Sequence, residues 1–188
     1  MPKPVFLTGN SIKLRLAKAI WSKYNFDFDH QKLEVPEIQS ESTEEIAEYS
    51  AKWGANKLQR PVIVNDVGYY IQGLNGFPGP YIKYINKWLT SGDILKMMEN
   101  KANRRLEIHD VLSYCEPNSE PITFICKLYA TIGTQALGKG DNPIDEIMIR
   151  DGFDKAQSLV NFEETFDYWV ENVTCYHDLA KYLMNLKK

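Results

Sequence analysis

The sequence predicts an α/β protein with a mixed β-sheet, helices packed on that sheet, and two lobes with a central active-site cleft. Three observations predict this class. The chain opens strand–turn–helix, a second helix leads into an almost continuously apolar strand, and a long hairpin with strict alternation follows. Crossover helices indicate parallel strands, and the hairpin adds antiparallel ones. A cleft between lobes is a natural ligand site.

The first elements form the opening strand–turn–helix unit. Residues 4–8 (PVFLT) are apolar and predict a strand, and residues 9–24 (GNSIKLRLAKAIWSKY) predict an amphipathic helix, with TGN at the turn. Residues 26–35 alternate weakly and predict a second strand. The order of these elements indicates a crossover of the parallel type.

The next helix and strand have clear boundaries. Ser42 and Glu45 have the spacing of a capping box, so a helix begins there and runs to about Leu58. Residues 61–65 (PVIVN) are apolar in sequence, which predicts a strand buried on both faces. Asp66 is then an isolated acidic residue at the predicted end of that strand.

In the second half of the chain, the spacing of apolar residues changes from that of a helix to the alternation of β-strands. Residues 88–100 predict a helix, and residues 104–115 and 122–133 predict a hairpin around the turn EPNSEP. One face of its second strand is predicted to consist of Ile122, Phe124, Cys126, Leu128, Ala130 and Ile132. Residues 177–186 predict a short amphipathic helix.

Length and composition limit the functional classes. The 188 residues suit a single two-lobed domain over 1–188, with 44% hydrophobic and 25% charged residues. With a net charge of −3, the chain does not indicate the broad basic surface that binds a phosphate backbone, so we expect no long nucleic acid as partner. No segment approaches the ~20 apolar residues of a membrane helix. Three scattered cysteines favour a reducing compartment, and we expect a cytoplasmic protein.

The turn TGNSIK is a candidate phosphate site. A turn between a strand and a helix offers backbone N–H groups and the positive end of the helix dipole. Thr8, Gly9 and Asn10 form this turn, and Lys13 lies one helical turn further on, within reach of the same anion. The alternative is an ordinary strand–helix turn with an N-cap.

Two carboxylates are candidate metal ligands. Glu37 precedes the second helix and Asp66 follows the third strand, and the carboxyl ends of parallel strands meet at one edge of a sheet. Mg²⁺ is bound by one or two carboxylates with water and substrate phosphates. The alternatives are a surface position for Glu37 and a turn-forming role for Asp66.

Residues 74–83 (LNGFPGPYIK) combine glycine and proline, which gives the loop one preferred shape. Such a loop suits the wall of a site that presents Lys83 at a fixed angle. The alternative is a structural turn that packs Phe77 and Tyr81 into the core.

Taken in order, these segments resemble the inosine/xanthosine triphosphate pyrophosphatase family. The resemblance lies in TGNSIK, in residues 33–66, in residues 73–85 (GLNGFPGPYIKYI) and, more faintly, in residues 144–153 (IDEIMIRDGF). It implies an elongated two-lobed fold, usually a homodimer. It also implies Mg²⁺-dependent hydrolysis of non-standard purine nucleoside triphosphates to monophosphate and pyrophosphate.

The resemblance also implies roles for individual residues. Thr8, Asn10 and Lys13 would hold phosphates, as would Lys83. Glu37 would bind the metal, and Asp66 would bind the metal or activate the attacking water. The predicted base-binding residues are Asp145, Tyr176 and His177.

The chain departs from the family pattern at several positions. Asn65 stands where the family has the first acid of a pair, and Ser50 and Glu171 stand where it has lysines. Ile144 replaces the stacking aromatic residue, and 175–177 (CYH) replaces Ser-His-Arg. Two functions remain open: a divergent pyrophosphatase for another modified or pyrimidine nucleotide, and a catalytically impaired relative that binds a nucleotide or a protein. A generic α/β domain that shares these motifs by chance is the third reading.

Overall fold

A computed structural model describes residues 2–36 and 38–186. The α-helices in this part of the chain are α1 (Ser11–Trp21), α2 (Thr43–Leu58), α3 (Ile82–Trp88), α4 (Ser91–Met97), α5 (Phe162–Asn172) and α6 (Thr174–Asn185). The β-strands are β1 (Val5–Leu7), β2 (Asp29–Gln31), β3 (Val62–Ile71), β4 (Pro78–Gly79), β5 (Arg105–Cys115), β6 (Ile122–Ile132) and β7 (Met148–Arg150).

The strands form one mixed sheet in the order β2-β1-β3-β5-β6-β7, with β4 paired to β3. β1 is parallel to β2 and β3, while β4 and β7 are antiparallel to their neighbours. The predicted α/β class with a mixed sheet and packed helices is confirmed. Leu7 at the end of β1 lies opposite Val64, so the parallel pairing stops just before Asn65.

The chain divides into two compact units. The first unit comprises Met1–Val67, Asp110–Cys126 and Trp169–Lys188, and the second comprises Gly68–His109 and Lys127–Tyr168. The strands β3, β5 and β6 each contribute residues to both units.

An aromatic cluster fills part of the core of the first unit. Trp21, at the end of α1, is fully buried, and its ring lies 5.3 Å from Phe6, 4.8 Å from Phe28 and 5.5 Å from Tyr176 between centroids. Its indole N–H donates to the backbone oxygen of Tyr176 at 2.9 Å. Trp21 therefore joins α1, β1 and α6.

Helix α2 packs close to the parallel strands. Ser42 caps it at the predicted position, accepting from the backbone N–H of Glu45 at 3.2 Å. The second half of the predicted capping box differs, because the N–H of Ser42 donates to Ser40 Oγ at 3.0 Å and the Glu45 carboxylate accepts from Ser40. A Cβ atom on Gly54 would lie 2.7 Å from Leu7 Cδ1 and 3.3 Å from Val62 Cγ1. The absence of a side chain at this position allows the close approach.

The second unit holds the rigid loop predicted at 74–83. Gly76 and Gly79 have φ angles of +88° and +59°, which favour glycine. Tyr69 and Tyr70 of β3 pair with Gly79 and Pro78 of β4. The loop therefore folds back onto the strand that precedes it.

This pairing corrects one prediction. Asp66 does not end the third strand, because β3 continues to Ile71. The residues after Asp66 include two tyrosines and an isoleucine, which favour extended structure, and β4 supplies a partner for them. Asp66 instead lies inside β3, just beyond the point where pairing with β1 ends.

Other boundaries also differ from the prediction. The helical segment 88–100 is divided, because Thr90 and Asp93 form a capping box that begins α4 after α3 has ended. Helix α5 was not predicted, although Asn161 accepts from the N–H of Glu164 at 2.8 Å and marks its start. The second strand is shorter than residues 26–35.

Two further findings concern the cysteines and the apolar character of the helices. All three cysteines are free and buried. Among the residues described, no helix has both the length and the apolar character that crossing a bilayer requires.

The close packing at Gly54 predicts a specific loss of stability. Alanine favours a helix over glycine by about 1 kcal/mol. Gly54→Ala also creates the overlap with Leu7, and overpacking of a core typically costs ~1–3 kcal/mol. Gly92→Ala in α4 is the matched control, since its Cβ atom would lie 3.6 Å from Thr90 Oγ1, an ordinary van der Waals contact.

We expect urea unfolding to show a lower free energy of unfolding for Gly54→Ala than for Gly92→Ala, by about the overpacking cost. Equal effects of the two substitutions would contradict the close packing of α2.

Candidate active site

The candidate site begins where β1 ends. The backbone N–H of Thr8 donates to the oxygen of Gln31 at 3.2 Å, and the ring Nε2 of His30 lies 2.8 Å from the oxygen of Thr8. These bonds tie the start of the turn to β2. The predicted phosphate turn therefore lies at the carboxyl edge of the parallel strands, where ligands of α/β proteins bind.

The turn is stabilised by its own side chains. Asn10 is the N-cap of α1, and its Oδ1 accepts from the N–H groups of Ile12 at 2.8 Å and Lys13 at 3.3 Å. Thr8 Oγ1 accepts from the N–H of Asn10 at 3.1 Å. Three backbone donors are thus already bonded, which fixes the shape of the turn.

Lys13 links α1 to β3. Its ammonium group donates to the backbone oxygen of Asn65 at 2.9 Å. This bond places a positive charge beside the residue that precedes Asp66. The sequence predicts Lys13 and Asp66 as site residues, and the structure brings their two segments together.

Asn65 makes a second set of bonds through its side chain. Its amide Nδ2 donates to Asp110 Oδ1 at 2.6 Å and to the oxygen of Val111 at 3.0 Å. The thiol of Cys175 lies 3.7 Å from the same oxygen of Asp110. Asn65 is therefore bonded to α1 through its backbone and to β5 through its side chain.

Asp110 is a polar residue of this region that the sequence predictions did not include. Burial raises the pKa of the Asp110 carboxyl, while the Lys13 ammonium and the Asn65 and Cys175 donors oppose that increase. The available signal was an acid immediately before the apolar run Val111–Leu112 of β5. The pattern alone did not identify its partner.

The two predicted metal ligands have different positions. Asp66 is partly buried on β3, and Glu37 lies outside the described residues. Within residues 2–36 and 38–186, no group of three or more His, Cys, Asp or Glu side chains is placed to hold a metal ion.

Comparison with known proteins identifies the family. The family model described as the Ham1 family matches residues 4–165. The chain belongs to the Ham1 family. The family predicted from the motifs is therefore confirmed.

Relatives with similar sequences cover most of the chain. A dITP/XTP pyrophosphatase of Methanopyrus kandleri is 40% identical over 162 residues, which are 86% of this chain and 86% of that protein. An inosine triphosphate pyrophosphatase of Puccinia graminis is 33% identical over 129 residues, covering 65% and 67%.

Solved structures show the same fold. The Ham1 protein of Staphylococcus aureus superposes with a TM-score of 0.78 at 21% identity, covering 99% of this chain and 100% of that one. A HAM1 protein of Coxiella burnetii gives a TM-score of 0.78 at 19% identity, covering 98% and 100%.

Two predicted substrate-binding residues of this Ham1 chain lie in the second unit. Lys83 is exposed in the first turn of α3, with its ammonium 5.8 Å from the centroid of the Tyr84 ring. Asp145 accepts from Asn142 Nδ2 at 3.2 Å. Burial raises the pKa of the Asp145 carboxyl, and the bond from Asn142 opposes this. Their roles toward a nucleotide stay predictions.

Tyr176 has a different environment from the one predicted. Its side chain is fully buried in the aromatic cluster beside Trp21, and its hydroxyl has no hydrogen-bond partner among the described residues. A ring without exposed surface cannot stack on or bond to a nucleobase. The structure therefore corrects the predicted role of Tyr176, which is a core residue.

Both ring nitrogens of His177 are bonded. Nε2 lies 2.9 Å from the oxygen of Val170, and Nδ1 lies 2.9 Å from the hydroxyl of Tyr24. The carbonyl can only accept, so Nε2 carries the proton and Nδ1 accepts from Tyr24. Reading a base would require His177 to give up one of these bonds.

The environment of Tyr176 predicts an unusual response to loss of a hydroxyl. An unbonded buried polar group costs ~1–3 kcal/mol, so we expect Tyr176→Phe to be at least as stable as the native protein. Tyr24→Phe is the matched control. It removes the bond to His177 and should lower the free energy of unfolding by about 0.5–1.5 kcal/mol.

Chemical unfolding of the two variants measures this difference. If both lost the same stability, the hydroxyl of Tyr176 would have a bonding partner, and its assignment as an unbonded core group would be contradicted.

Proposed function

We propose that this protein is a Mg²⁺-dependent nucleoside triphosphate pyrophosphatase. It hydrolyses a non-canonical nucleotide of the inosine/xanthosine type, or another modified nucleotide, to the monophosphate and pyrophosphate. Membership of the Ham1 family supports this, as do the pyrophosphatase relatives at 28–40% identity over most of the chain.

The observation that carries the proposal is the bond between Lys13 and the carbonyl of Asn65, at 2.9 Å. It holds a cation next to Asp66 at the edge of the parallel strands. A site that cleaves a triphosphate needs positive charge for the phosphates and a carboxylate for the attacking water. The groups that satisfy these two requirements, Lys13 and Asp66, lie on adjacent segments of the first unit.

Phosphate binding is assigned to the turn after β1. Thr8, Gly9 and Asn10 give the turn its shape, and Lys13 supplies the charge. Because Thr8 and Asn10 already bond the turn internally, the turn needs little reorganisation when a phosphate arrives. The Lys13 ammonium has three donors, of which one bonds Asn65, so it can also stabilise charge that develops on phosphate oxygens.

Asp66 is assigned to the attacking water. Water attacks the α-phosphorus, and its oxygen forms the new P–O bond as the bond to the bridging oxygen of pyrophosphate breaks. Asp66 orients the water and accepts its proton. The Lys13 ammonium opposes the negative charge that builds up on the phosphate oxygens.

The donor set suits Mg²⁺. This ion is bound by one or two carboxylates together with water and substrate phosphates, so a protein cluster of three ligands is not required. Asp66, partly exposed on β3, would supply one carboxylate, and Glu37 is the proposed second. When bound, Mg²⁺ would offset phosphate charge.

The remaining assignments concern substrate contacts, location and oligomeric state rather than the hydrolytic step. We propose that Lys83 contacts the triphosphate and Asp145 the base. Cytoplasmic location fits the three free thiols, and a homodimer is proposed from the family resemblance. Burial of Tyr176 and the two bonds of His177 support a substrate recognised by other groups.

Asp66→Asn tests the proposed reaction. A proton acceptor contributes about 10²–10⁴-fold to rate, so we expect kcat for pyrophosphate release to fall at least 100-fold. Asp27→Asn is the matched control, because Asp27 is an exposed carboxylate of the first unit that pairs with Lys3 at 2.9 Å. It should leave kcat unchanged.

The assay uses a panel of standard, deaminated and modified purine and pyrimidine triphosphates with Mg²⁺, and thermal shift is measured in parallel. Release from one class of nucleotide supports the proposal. A thermal shift with no release from any nucleotide would instead favour the catalytically impaired binding protein.

Lys13→Ala tests the phosphate assignment. Loss of a charged hydrogen bond costs ~1.5–3 kcal/mol, so we expect nucleotide affinity to fall by roughly 10- to 100-fold. Lys18→Ala, on the same helix at an exposed position, should bind normally. Calorimetry with a non-hydrolysable analogue measures both, and equal affinities would contradict the assignment.

A further inference from the structure

We propose that Asp110 is a positioning residue of this site, which holds Asn65 and, through it, places Asp66 for reaction. The inference rests on the proposed function. It concerns a residue on β5 that neither the motifs nor the comparisons with relatives single out.

The geometry around Asn65 carries the proposal. At 2.6 Å, the bond from Asn65 Nδ2 to Asp110 Oδ1 joins the middle of β3 to β5. A donor bonded to a carboxylate makes a short, strong hydrogen bond. Asn65 is itself 7% exposed, so this bond is partly shielded from water.

The position of this bond along β3 matters. Pairing of β3 with β1 ends at Val64, so the next residues lack that neighbour on one side. At Asn65 the Lys13 ammonium bonds the backbone oxygen beyond the end of β1, and the bond to Asp110 ties the side chain to β5, the strand on the other side of β3. Asp66 follows directly, and its backbone position depends on how firmly Asn65 is held.

The charges around Asp110 fit a role at the site. Attraction to the Lys13 ammonium and repulsion from Asp66 both act on this carboxyl. Asp110 is therefore electrostatically coupled to two groups that the proposed reaction uses.

The acceptor of this bond can be removed or kept by substitution. Asp110→Ala removes the acceptor, and Asn65→Ala removes the donor. Asp110→Asn keeps an amide oxygen that can accept from Asn65 Nδ2. Asp110→Asn therefore separates loss of the hydrogen bond from loss of the carboxylate.

The experiment measures kcat, KM and thermal unfolding for the full chain and these three variants. A misplacement of about 1 Å can reduce a rate about 100-fold. We expect Asn65→Ala and Asp110→Ala to lower kcat at least tenfold while KM changes less than threefold, because the bonds of the phosphate turn remain. Asp110→Asn, which keeps the acceptor, should retain kcat to within about threefold of the native protein.

Ser113→Ala is the control for a purely structural role. Ser113 is a buried residue of the same strand, and its hydroxyl bonds Thr123 Oγ1 at 3.2 Å. We expect a lower melting temperature and unchanged kcat. The variants are compared at a temperature where circular dichroism shows all of them folded.

Two results overturn the proposal. One is a native kcat in folded Asp110→Ala, and the other is an Asp110→Asn variant that is as slow as Asp110→Ala. If the native protein released pyrophosphate and Asp66→Asn did not, these results would refute only the role of Asp110. Absence of release by the native protein would refute the proposed function itself.

Discussion

The bonds of Asn65 are the constraint on which the site depends. A buried strand normally receives its support from both neighbours, but β1 ends at Leu7 while β3 continues to Ile71. Just beyond the end of β1, the ammonium of Lys13 bonds the backbone oxygen of Asn65, and Asp110 bonds the Asn65 side chain. The first unit thus brings α1, β3 and β5 to one position, immediately before Asp66.

The parts of the fold that the sequence predicted are those with local periodicity. Helix α2 has its capping signal within four residues, and the last four alternating positions of β6 are buried as expected: Cys126, Leu128, Ala130 and Ile132. The continuation of β3 was missed because it depends on β4, a strand of two residues with no pattern of its own.

The candidate site was predictable only in part, for a similar reason. The turn at Thr8 and Asn10 is a local motif, and Lys13 follows it within one helical turn. Asp110 lies 45 residues from Asn65 in sequence, and only the order of strands in the sheet makes them partners. Burial of Tyr176 likewise depends on Trp21, 155 residues away.

The residues proposed for phosphate chemistry and those predicted to recognise the base have different environments. The turn, Lys13 and Asp66 form a consistent set within one unit. At the C-terminal end, Tyr176 is in the core, and His177 is bonded to Tyr24 and Val170. A site can retain a reaction while its specificity changes, because contacts with the base and contacts with the phosphates come from different residues.

The most direct test of the central claim is the position of the bond that water breaks. Turnover of an inosine-type triphosphate in ¹⁸O-labelled water, followed by ³¹P NMR or mass spectrometry, locates the incorporated oxygen. Attack on the α-phosphorus predicts ¹⁸O in the nucleoside monophosphate and none in the pyrophosphate released. Label in inorganic phosphate, or in the pyrophosphate, would contradict the account.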